Sequence, residues 1–162
     1  MSKEKTLAEL AALAEIWHAR GDKVVLANGA FDLLHVGHLR YLQGAKALGN
    51  VLVVAVNSDA SVRSAKGESR PVVPQAERAE LLGGLACVDV VTLFDEADVR
   101  HIIATLKPAV HAKGTDYTQD SVPERVEVEK YGGQVAITGD PKDHSTTETV
   151  AQLTKRGLPS SR

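Results

Sequence analysis

The sequence predicts an α/β fold in which a doubly wound, five-stranded parallel sheet carries helices on both faces. Segments rich in β-branched residues alternate five times with segments of helical periodicity, and this order is typical of parallel sheets. The apolar run at 51–56 fits a strand that is buried on both faces. Ligands bind such sheets beyond the carboxyl ends of the strands, where the strand order reverses.

The first predicted element is a helix. Thr6 to Glu9 has the form of a capping box, and apolar residues at helical spacing continue towards Gly21. We expect residues 1–21 to form an N-terminal helix packed on the domain and residues 22–156 to form the domain itself. Residues 157–162 are predicted to be a flexible tail.

The remaining elements follow from the same two periodicities. Strands are predicted at 23–27, 51–57, 88–94, 109–112 and 134–138. Helices are predicted at 36–48, 75–82, 98–106, 123–130 and 146–154. The polar stretch at 58–74 is long for a connection, and long connections in compact domains are often lids or binding loops.

Composition bounds the class of protein. A chain of 162 residues, 43% hydrophobic and 25% charged, has the profile of one soluble globular domain. The net charge of −2 provides no general electrostatic attraction to nucleic acid. The single cysteine, Cys87, excludes an internal disulfide framework. Because the first 20 residues are rich in charge and no apolar run is long enough for a membrane span, we expect a cytoplasmic protein without a membrane or nucleic-acid partner.

Two histidines, His35 and His38, follow the first predicted strand at the start of a predicted helix. Their spacing places both imidazoles on one face of the helix, and Gly37 between them lets a ligand approach the backbone closely. The helix N-terminus adds free N–H groups and a partial positive charge. This arrangement suits a polyphosphate. Taken alone, it would also fit two surface histidines, or a metal site for which no third His or Cys lies nearby.

The same segment resembles the HxGH signature of the nucleotidyltransferase superfamily, whose Rossmann-like fold is also that of the class I aminoacyl-tRNA synthetases. The resemblance extends over eleven positions, 28–38, with the sequence NGAFDLLHVGH. The chain contains no Walker A pattern and no GxGxxG fingerprint. This weakens the interpretation of the chain as a P-loop kinase or a dehydrogenase.

Further blocks extend the resemblance over residues 22–153. They follow predicted strands or open predicted helices, at 57–59, 66–71, 77–78, 113–117 and 145–147. Together they are similar to the transferase half of the bacterial heptose enzymes, which make ADP-heptose for lipopolysaccharide from ATP and D-glycero-β-D-manno-heptose 1-phosphate. The fused sugar-kinase half of the bifunctional members has no counterpart in this sequence, so the resemblance implies a stand-alone form.

The resemblance implies a set of site residues. For catalysis it implies His35, His38 and Lys66. For nucleotide binding it implies Asn28, Gly29, Ala30, Phe31, Gly37, Gly114, Asp116, Ser145, Thr146 and Thr147. For the acceptor it implies Asp32, Arg70 and Arg78, and the sequence does not show which arginine holds the acceptor phosphate. It also implies Mg²⁺ bound mainly through the triphosphate, with no metal site on the protein, and a homo-oligomer.

The chemistry implied by the resemblance is direct displacement. A phosphate oxygen of the acceptor would attack the α-phosphorus of ATP, and pyrophosphate would leave without a covalent enzyme intermediate. His35 and His38 would donate hydrogen bonds, while Lys66 and the helix start at 145–147 would hold the pyrophosphate. Taken one by one, Lys66 and Arg70 also fit solvated loop charges, Asp116 a surface carboxylate, and residues 145–148 a capping box.

Other members of the superfamily remain alternatives: glycerol-3-phosphate or phosphoethanolamine cytidylyltransferases and pantetheine-phosphate adenylyltransferase. The glycerol-3-phosphate enzymes carry an arginine four residues before their equivalent of Ser145, where this chain has Pro141, and this difference favours the heptose branch. A nucleotide-binding module that has lost catalysis is a further alternative, which the intact His35, His38 and Lys66 oppose. No role is predicted for the histidines outside the motifs, His18, His101 and His111.

Overall fold

The computed structural model of the protein describes residues 2–141 and 151–152. The strands in this part of the chain are β1 (Val24–Gly29), β2 (Val51–Asn57), β3 (Val90–Phe94), β4 (Val110–Lys113) and β5 (Gln134–Ile137). The α-helices are α1 (Leu7–Arg20), α2 (Val36–Lys46), α3 (Asp59–Lys66), α4 (Gln75–Gly84), α5 (Arg100–Leu106) and α6 (Arg125–Glu129). A 3₁₀ turn covers Gln119–Ser121.

The strands form one parallel sheet in the order β3-β2-β1-β4-β5. Val25 of the central strand pairs with Leu52 of β2 and with Val110 of β4. The chain moves outward from β1 to β3 and then returns to the other side of β1, so the strand order reverses between β1 and β4. The predicted fold class is confirmed, and the reversal locates the edge where a ligand is expected.

Each face of the sheet has its own core because successive strand residues point to opposite faces. Val25, Val54 and Ala112 pack with α2 and α4 on one face, called here the α2–α4 face. Leu26 and Val53 pack with α1, α5 and α6 on the opposite face, called here the α5–α6 face. By the same alternation, the last polar side chain of each of three strands points to the α5–α6 face: Asn28 in β1, Asn57 in β2 and Lys113 in β4.

The helix α1 begins and ends where the sequence predicts. The Thr6 N–H donates to Glu9 Oε2 at 2.8 Å and the Glu9 N–H donates back to Thr6 Oγ1 at 3.3 Å, while Gly21 ends the helix at φ 71°. Before the helix, Lys5 N–H donates to Val91 O at 2.8 Å, so the N-terminal segment covers the edge of β3.

No helix of residues 2–141 combines the length and the apolar composition that a membrane crossing requires.

The predicted loop at 58–74 contains a helix in its first half, so that part of the prediction is wrong. Ser58 caps α3, its hydroxyl accepting from the Ser61 N–H at 3.2 Å. The helix is short and mostly polar, with Ser61 and Val62 as its buried residues, and therefore lacks the apolar periodicity that sequence analysis requires. Its last residue is Lys66, which places this lysine at the end of a helix.

The other differences concern element ends. β1 continues two residues beyond its predicted end, to Gly29, while α5 begins at Arg100 and α6 at Arg125, two residues later than predicted. The helix predicted at 146–154 lies outside the described residues except for positions 151–152, which are helical. The predicted tail at 157–162 also lies outside them.

Candidate active site

A cleft of about 1110 Å³ opens at the carboxyl edge of the sheet. This volume exceeds that of a usual pocket for one small ligand, so it has room for a nucleotide and a second substrate. The cleft brings together twelve of the predicted site residues: Asn28, Gly29, Ala30, Phe31, Asp32, His35, Gly37, His38, Lys66, Arg70, Gly114 and Asp116. The predicted residues Ser145, Thr146 and Thr147 lie outside the described part of the chain.

The turn from β1 to α2 has an unusual backbone. Phe31 and Leu33 both have positive φ, 51° and 50°, in the left-handed region that side chains other than glycine rarely adopt. Asp32 between them is 4% exposed and accepts hydrogen bonds from Val72 N–H and Val73 N–H, each at 3.0 Å. The carboxylate therefore connects the turn to the segment at 70–73 and supports its unfavourable conformation.

The hydrogen bonds of His35 and His38 show which ring nitrogen carries the proton in each imidazole. The Gly37 N–H donates to His35 Nδ1 at 3.1 Å, and the His35 N–H donates to His38 Nδ1 at 3.3 Å. A neutral imidazole has one donor and one acceptor nitrogen, so each ring keeps its proton on Nε2. With the ring centroids 3.9 Å apart, the pair offers two adjacent N–H donors at the start of α2.

The pKa of His38 lies well below its ordinary value of 6.5. Burial lowers it, electrostatic interactions with His35 and with Lys66 lower it further, and Asp32 acts in the opposite direction, which brings the pKa to about 4. His38 is consequently neutral near pH 7, with its proton on Nε2. Phe31 contributes to the burial, because its ring meets the imidazole edge-to-face at a centroid distance of 5.4 Å.

Two positively charged side chains of the cleft, Lys66 and Arg70, differ in how freely they can move. Lys66 is exposed at the end of α3, where its flexible side chain can reach a bound anion. The side chain of Arg70 is 17% exposed, and its Nη1 donates to Asp32 Oδ2 at 2.9 Å. Asp32 and Arg70, both predicted to contact the acceptor, thus line the cleft as a pair.

The predicted acceptor role of Arg78 does not fit the structure. Its side chain is fully buried, and its guanidinium donates to the carbonyls of Ala30, Asn57 and Val73 as well as to Asp59 Oδ1. These contacts bind α4 to the ends of β1 and β2. The physical reason is that position 78 lies on the inward face of α4, which the sequence motif alone does not show.

Several residues that line the cleft were given no role by sequence analysis, although Asn57 and Lys113 lie in blocks of the resemblance. They come from the α5–α6 face: Asn57, Phe94, Asp98, Arg100, Lys113 and Glu124. Strand alternation could have identified Asn57, Phe94 and Lys113, because each is the last residue of a strand and points to the same face. Nothing in the local sequence indicates Asp98 or Glu124, which reach the cleft from the starts of α5 and α6.

No group of three or more His, Cys, Asp or Glu side chains among residues 2–141 is placed to hold a metal ion. Around His35 and His38 the cleft presents imidazole, ammonium and guanidinium groups. These groups fit the oxygens of a triphosphate better than they fit a divalent cation bound directly by the protein.

The parallel sheet, the HxGH turn and the cleft at the strand reversal define a nucleotidyltransferase. The chain belongs to the cytidylyltransferase-like family, whose model matches residues 26–152. The resemblance to the nucleotidyltransferases that the sequence motifs indicate is thereby confirmed. Enzymes of this class bind a nucleoside triphosphate and transfer its nucleotidyl group to an acceptor.

Curated relatives match nearly the whole of this chain. The bifunctional protein HldE of Geobacter metallireducens is 50% identical over 152 residues, which are 94% of this chain and 31% of the relative. The protein of the same name from Geobacter sulfurreducens is 47% identical over 154 residues, 95% of this chain and 31% of the relative. This chain therefore spans about a third of the length of these relatives.

Solved structures share the fold. The lipopolysaccharide core biosynthesis protein of Thermoplasma volcanium is 34% identical at a TM-score of 0.62, over 72% of this chain and 94% of that one. The pantoate-β-alanine ligase of Francisella tularensis has a TM-score of 0.64 at 14% identity, over 88% of this chain and 67% of that one. The second likeness shows the fold alone.

The titration of His38 tests its burial. In the free protein the imidazole should titrate near pH 4, whereas the unfolded chain takes up the proton near 6.5. The contribution of His38 to stability is therefore complete above pH 6.5 and falls as the pH drops towards 4. The measurement is an NMR titration of imidazole carbon-bound protons, assigned with His38→Gln. A midpoint at or above 6.5 would contradict the neutral, donating ring.

Replacement of Arg78 distinguishes a structural role from an acceptor contact. Arg78→Met should lower the free energy of unfolding in urea by about 3–5 kcal/mol, because Asp59 and three carbonyls lose their shared partner. The matched control is Arg63→Met on the exposed side of α3, which should change it by less than about 0.5 kcal/mol. Unchanged stability with a raised KM for the acceptor would restore the predicted role.

Proposed function

We propose that this protein transfers AMP from ATP to D-glycero-β-D-manno-heptose 1-phosphate, which gives ADP-heptose and pyrophosphate. The observation that carries the proposal is the pair of Nε2–H donors on His35 and His38 beside Lys66 in one cleft. Relatives named HldE, which are up to 50% identical to this chain, and the lipopolysaccharide core biosynthesis protein support the heptose acceptor.

The chemistry is a single displacement. An oxygen of the acceptor phosphate forms a bond to the α-phosphorus of ATP, and the bond from that phosphorus to the bridging oxygen of the β-phosphate breaks. His35 and His38 donate hydrogen bonds to the phosphate oxygens as negative charge moves onto the leaving group. Lys66 neutralises part of the charge on the departing pyrophosphate. Catalysis thus consists of positioning and of charge stabilisation.

Mg²⁺ is expected to enter with ATP. Nucleotidyltransferases generally use it with their triphosphate, and its charge lowers the repulsion between the phosphate oxygens. The imidazole and ammonium groups of the cleft are proposed to bind phosphate oxygens that are not bound to the cation. Ser145, Thr146 and Thr147 remain predicted contacts of the β- and γ-phosphates.

The cleft divides between the two substrates. Gly29, Ala30, Phe31, Gly37, Gly114 and Asp116 are proposed to contact the nucleotide, as the resemblance implies. The resemblance also assigns Asn28 to the nucleotide, but its side chain lies on the α5–α6 face beside Lys113, and it is proposed to contact the acceptor instead. Arg70, oriented by Asp32, is proposed to contact the acceptor phosphate, in place of the buried Arg78. Polar groups on the α5–α6 face, among them Asn57 and Asp98, are proposed to bind the sugar hydroxyls. A cytoplasmic location and a homo-oligomer stay predictions.

Cytidylyl transfer to glycerol 3-phosphate is the second candidate, since the matching family model is described as cytidylyltransferase-like. The deciding experiment measures pyrophosphate release in the presence of Mg²⁺, with ATP or CTP crossed with heptose 1-phosphate or glycerol 3-phosphate. We expect release with ATP and heptose 1-phosphate alone. Release with CTP and glycerol 3-phosphate would move the protein to the cytidylyl branch. No release with any acceptor, despite measurable ATP binding, would favour a non-catalytic module.

His38→Ala tests the proposed donor. It should lower turnover by roughly 10²–10³-fold, the usual loss for one donor to a transition-state oxygen. His18→Ala, on the exposed side of α1, is the matched control and should leave turnover unchanged. Circular dichroism and thermal melting confirm that both variants are folded. An unchanged rate in folded His38→Ala would remove His38 from the mechanism.

A further inference from the structure

A buried cluster of charged and polar side chains lies under the α5–α6 side of the cleft. His111, Lys113 and Glu124 are 0%, 6% and 4% exposed. Glu124 Oε2 lies 3.7 Å from both His111 Nε2 and Lys113 Nζ. His111 and Lys113 come from β4 and Glu124 from the start of α6, so the cluster joins the end of a strand to the helix behind it.

The cluster contains a charged pair. Burial raises the pKa of Glu124, but His111 and the Lys113 charge outweigh that effect and bring it to about 2. Burial lowers the pKa of Lys113, and Glu124 opposes that change. Burial also lowers the pKa of His111. Glu124 is consequently a carboxylate near neutral pH, and its negative charge, 3.7 Å from Lys113 Nζ, favours the ammonium form of the lysine. Removal of the carboxylate would leave Lys113 as a buried charge without its counter-charge.

The ammonium determines how the Asn28 side chain is turned. Lys113 Nζ donates to Asn28 Oδ1 at 3.1 Å. An ammonium group can only donate hydrogen bonds, so it must face the oxygen of the amide and not its NH₂ group. The NH₂ group of Asn28 then points away from Lys113. Since Asn28 lines the cleft at the end of β1, this orientation supplies two N–H donors to a ligand.

Tyr117 holds the ammonium from another side. Lys113 Nζ lies 4.8 Å from the centroid of the Tyr117 ring, within the range of a cation–π contact. The ammonium thus has a carboxylate, an amide oxygen and an aromatic ring around it. These contacts reduce the number of positions that the long lysine side chain can adopt, so the hydrogen bond to Asn28 has a defined geometry.

We propose that Glu124 and Lys113 are positioning residues for the acceptor. The buried carboxylate holds the ammonium against Asn28 Oδ1, and Asn28 in turn presents its N–H groups to an oxygen of the phosphorylated sugar. The identity of that ligand rests on the proposed function, whereas the orientation of Asn28 does not. A purely structural cluster would affect stability alone, and this difference makes the two roles separable.

The kinetic test compares two charge-removing variants with a conservative one. Glu124→Gln and Lys113→Met should raise the KM for the acceptor roughly 10-fold, the loss of about one well-placed hydrogen bond, with the KM for ATP nearly unchanged. Lys113→Arg should recover part of the loss because a guanidinium also donates to Oδ1. Glu129→Gln, an exposed carboxylate of the same helix, is the matched control. Equal rises in both KM values, or none in folded variants, would overturn the proposal.

The second test needs no acceptor. The side-chain amide signals of Asn28, assigned with Asn28→Asp in ¹⁵N–¹H spectra, should shift and average in Lys113→Met and in Glu124→Gln but not in Glu129→Gln. If they do so while wild-type protein releases no pyrophosphate with heptose 1-phosphate, the proposed substrate is wrong and the positioning role stands. Unchanged Asn28 signals in either folded charge-removing variant would refute the positioning role.

Discussion

The central position of β1 is the constraint on which the cleft depends. It pairs with β2 from Val24 to Gly29 and with β4 from Val25 to Ala27, so both of its edges are used and the chain must leave the sheet beyond Gly29. It leaves through the turn of Phe31 and Leu33, towards the α2–α4 face. Asn28 keeps its strand orientation towards the opposite face. One short segment therefore supplies groups to both sides of the carboxyl edge, and two substrates can meet above it.

Asp32 links the turn after β1 to other residues on the α2–α4 side of the cleft. Its carboxylate accepts from Arg70 and from the amides of Val72 and Val73. The segment that it holds begins at Arg70, shortly after the end of α3 at Lys66, and the other end of α3 is capped by Ser58. The backbone of Lys66 therefore lies between two segments that hydrogen bonds hold in place, the capped start of α3 and the segment bound to Asp32, although its side chain is exposed. The cation can move at its tip while its backbone keeps a fixed relation to the imidazoles.

The sequence predicts most of the fold and one side of the site. The parallel sheet follows from the alternation of strand and helix patterns, and the HxGH turn follows from eleven contiguous residues. The helix α3 was missed because it buries little more than Ser61 and Val62, which leaves no apolar stripe to detect. The cleft residue Glu124 was missed because its position depends on its contact with His111 and Lys113 of β4, which joins distant parts of the chain and is not contained in any local pattern.

The two sides of the cleft differ in how far their positive charges are paired with negative ones. On the α2–α4 side, His35 and His38 offer N–H donors and Lys66 adds an exposed positive charge, so a polyanion would find attraction there. On the α5–α6 side, Lys113 is paired with Glu124, and Arg100 with Asp98 and Glu127. A charge-balanced surface gains little from a further anion but supplies both donors and acceptors to hydroxyl groups. In the proposed reaction this difference orients the substrates, with the triphosphate over α2 and the sugar over α6, so that the reacting phosphates converge above β1.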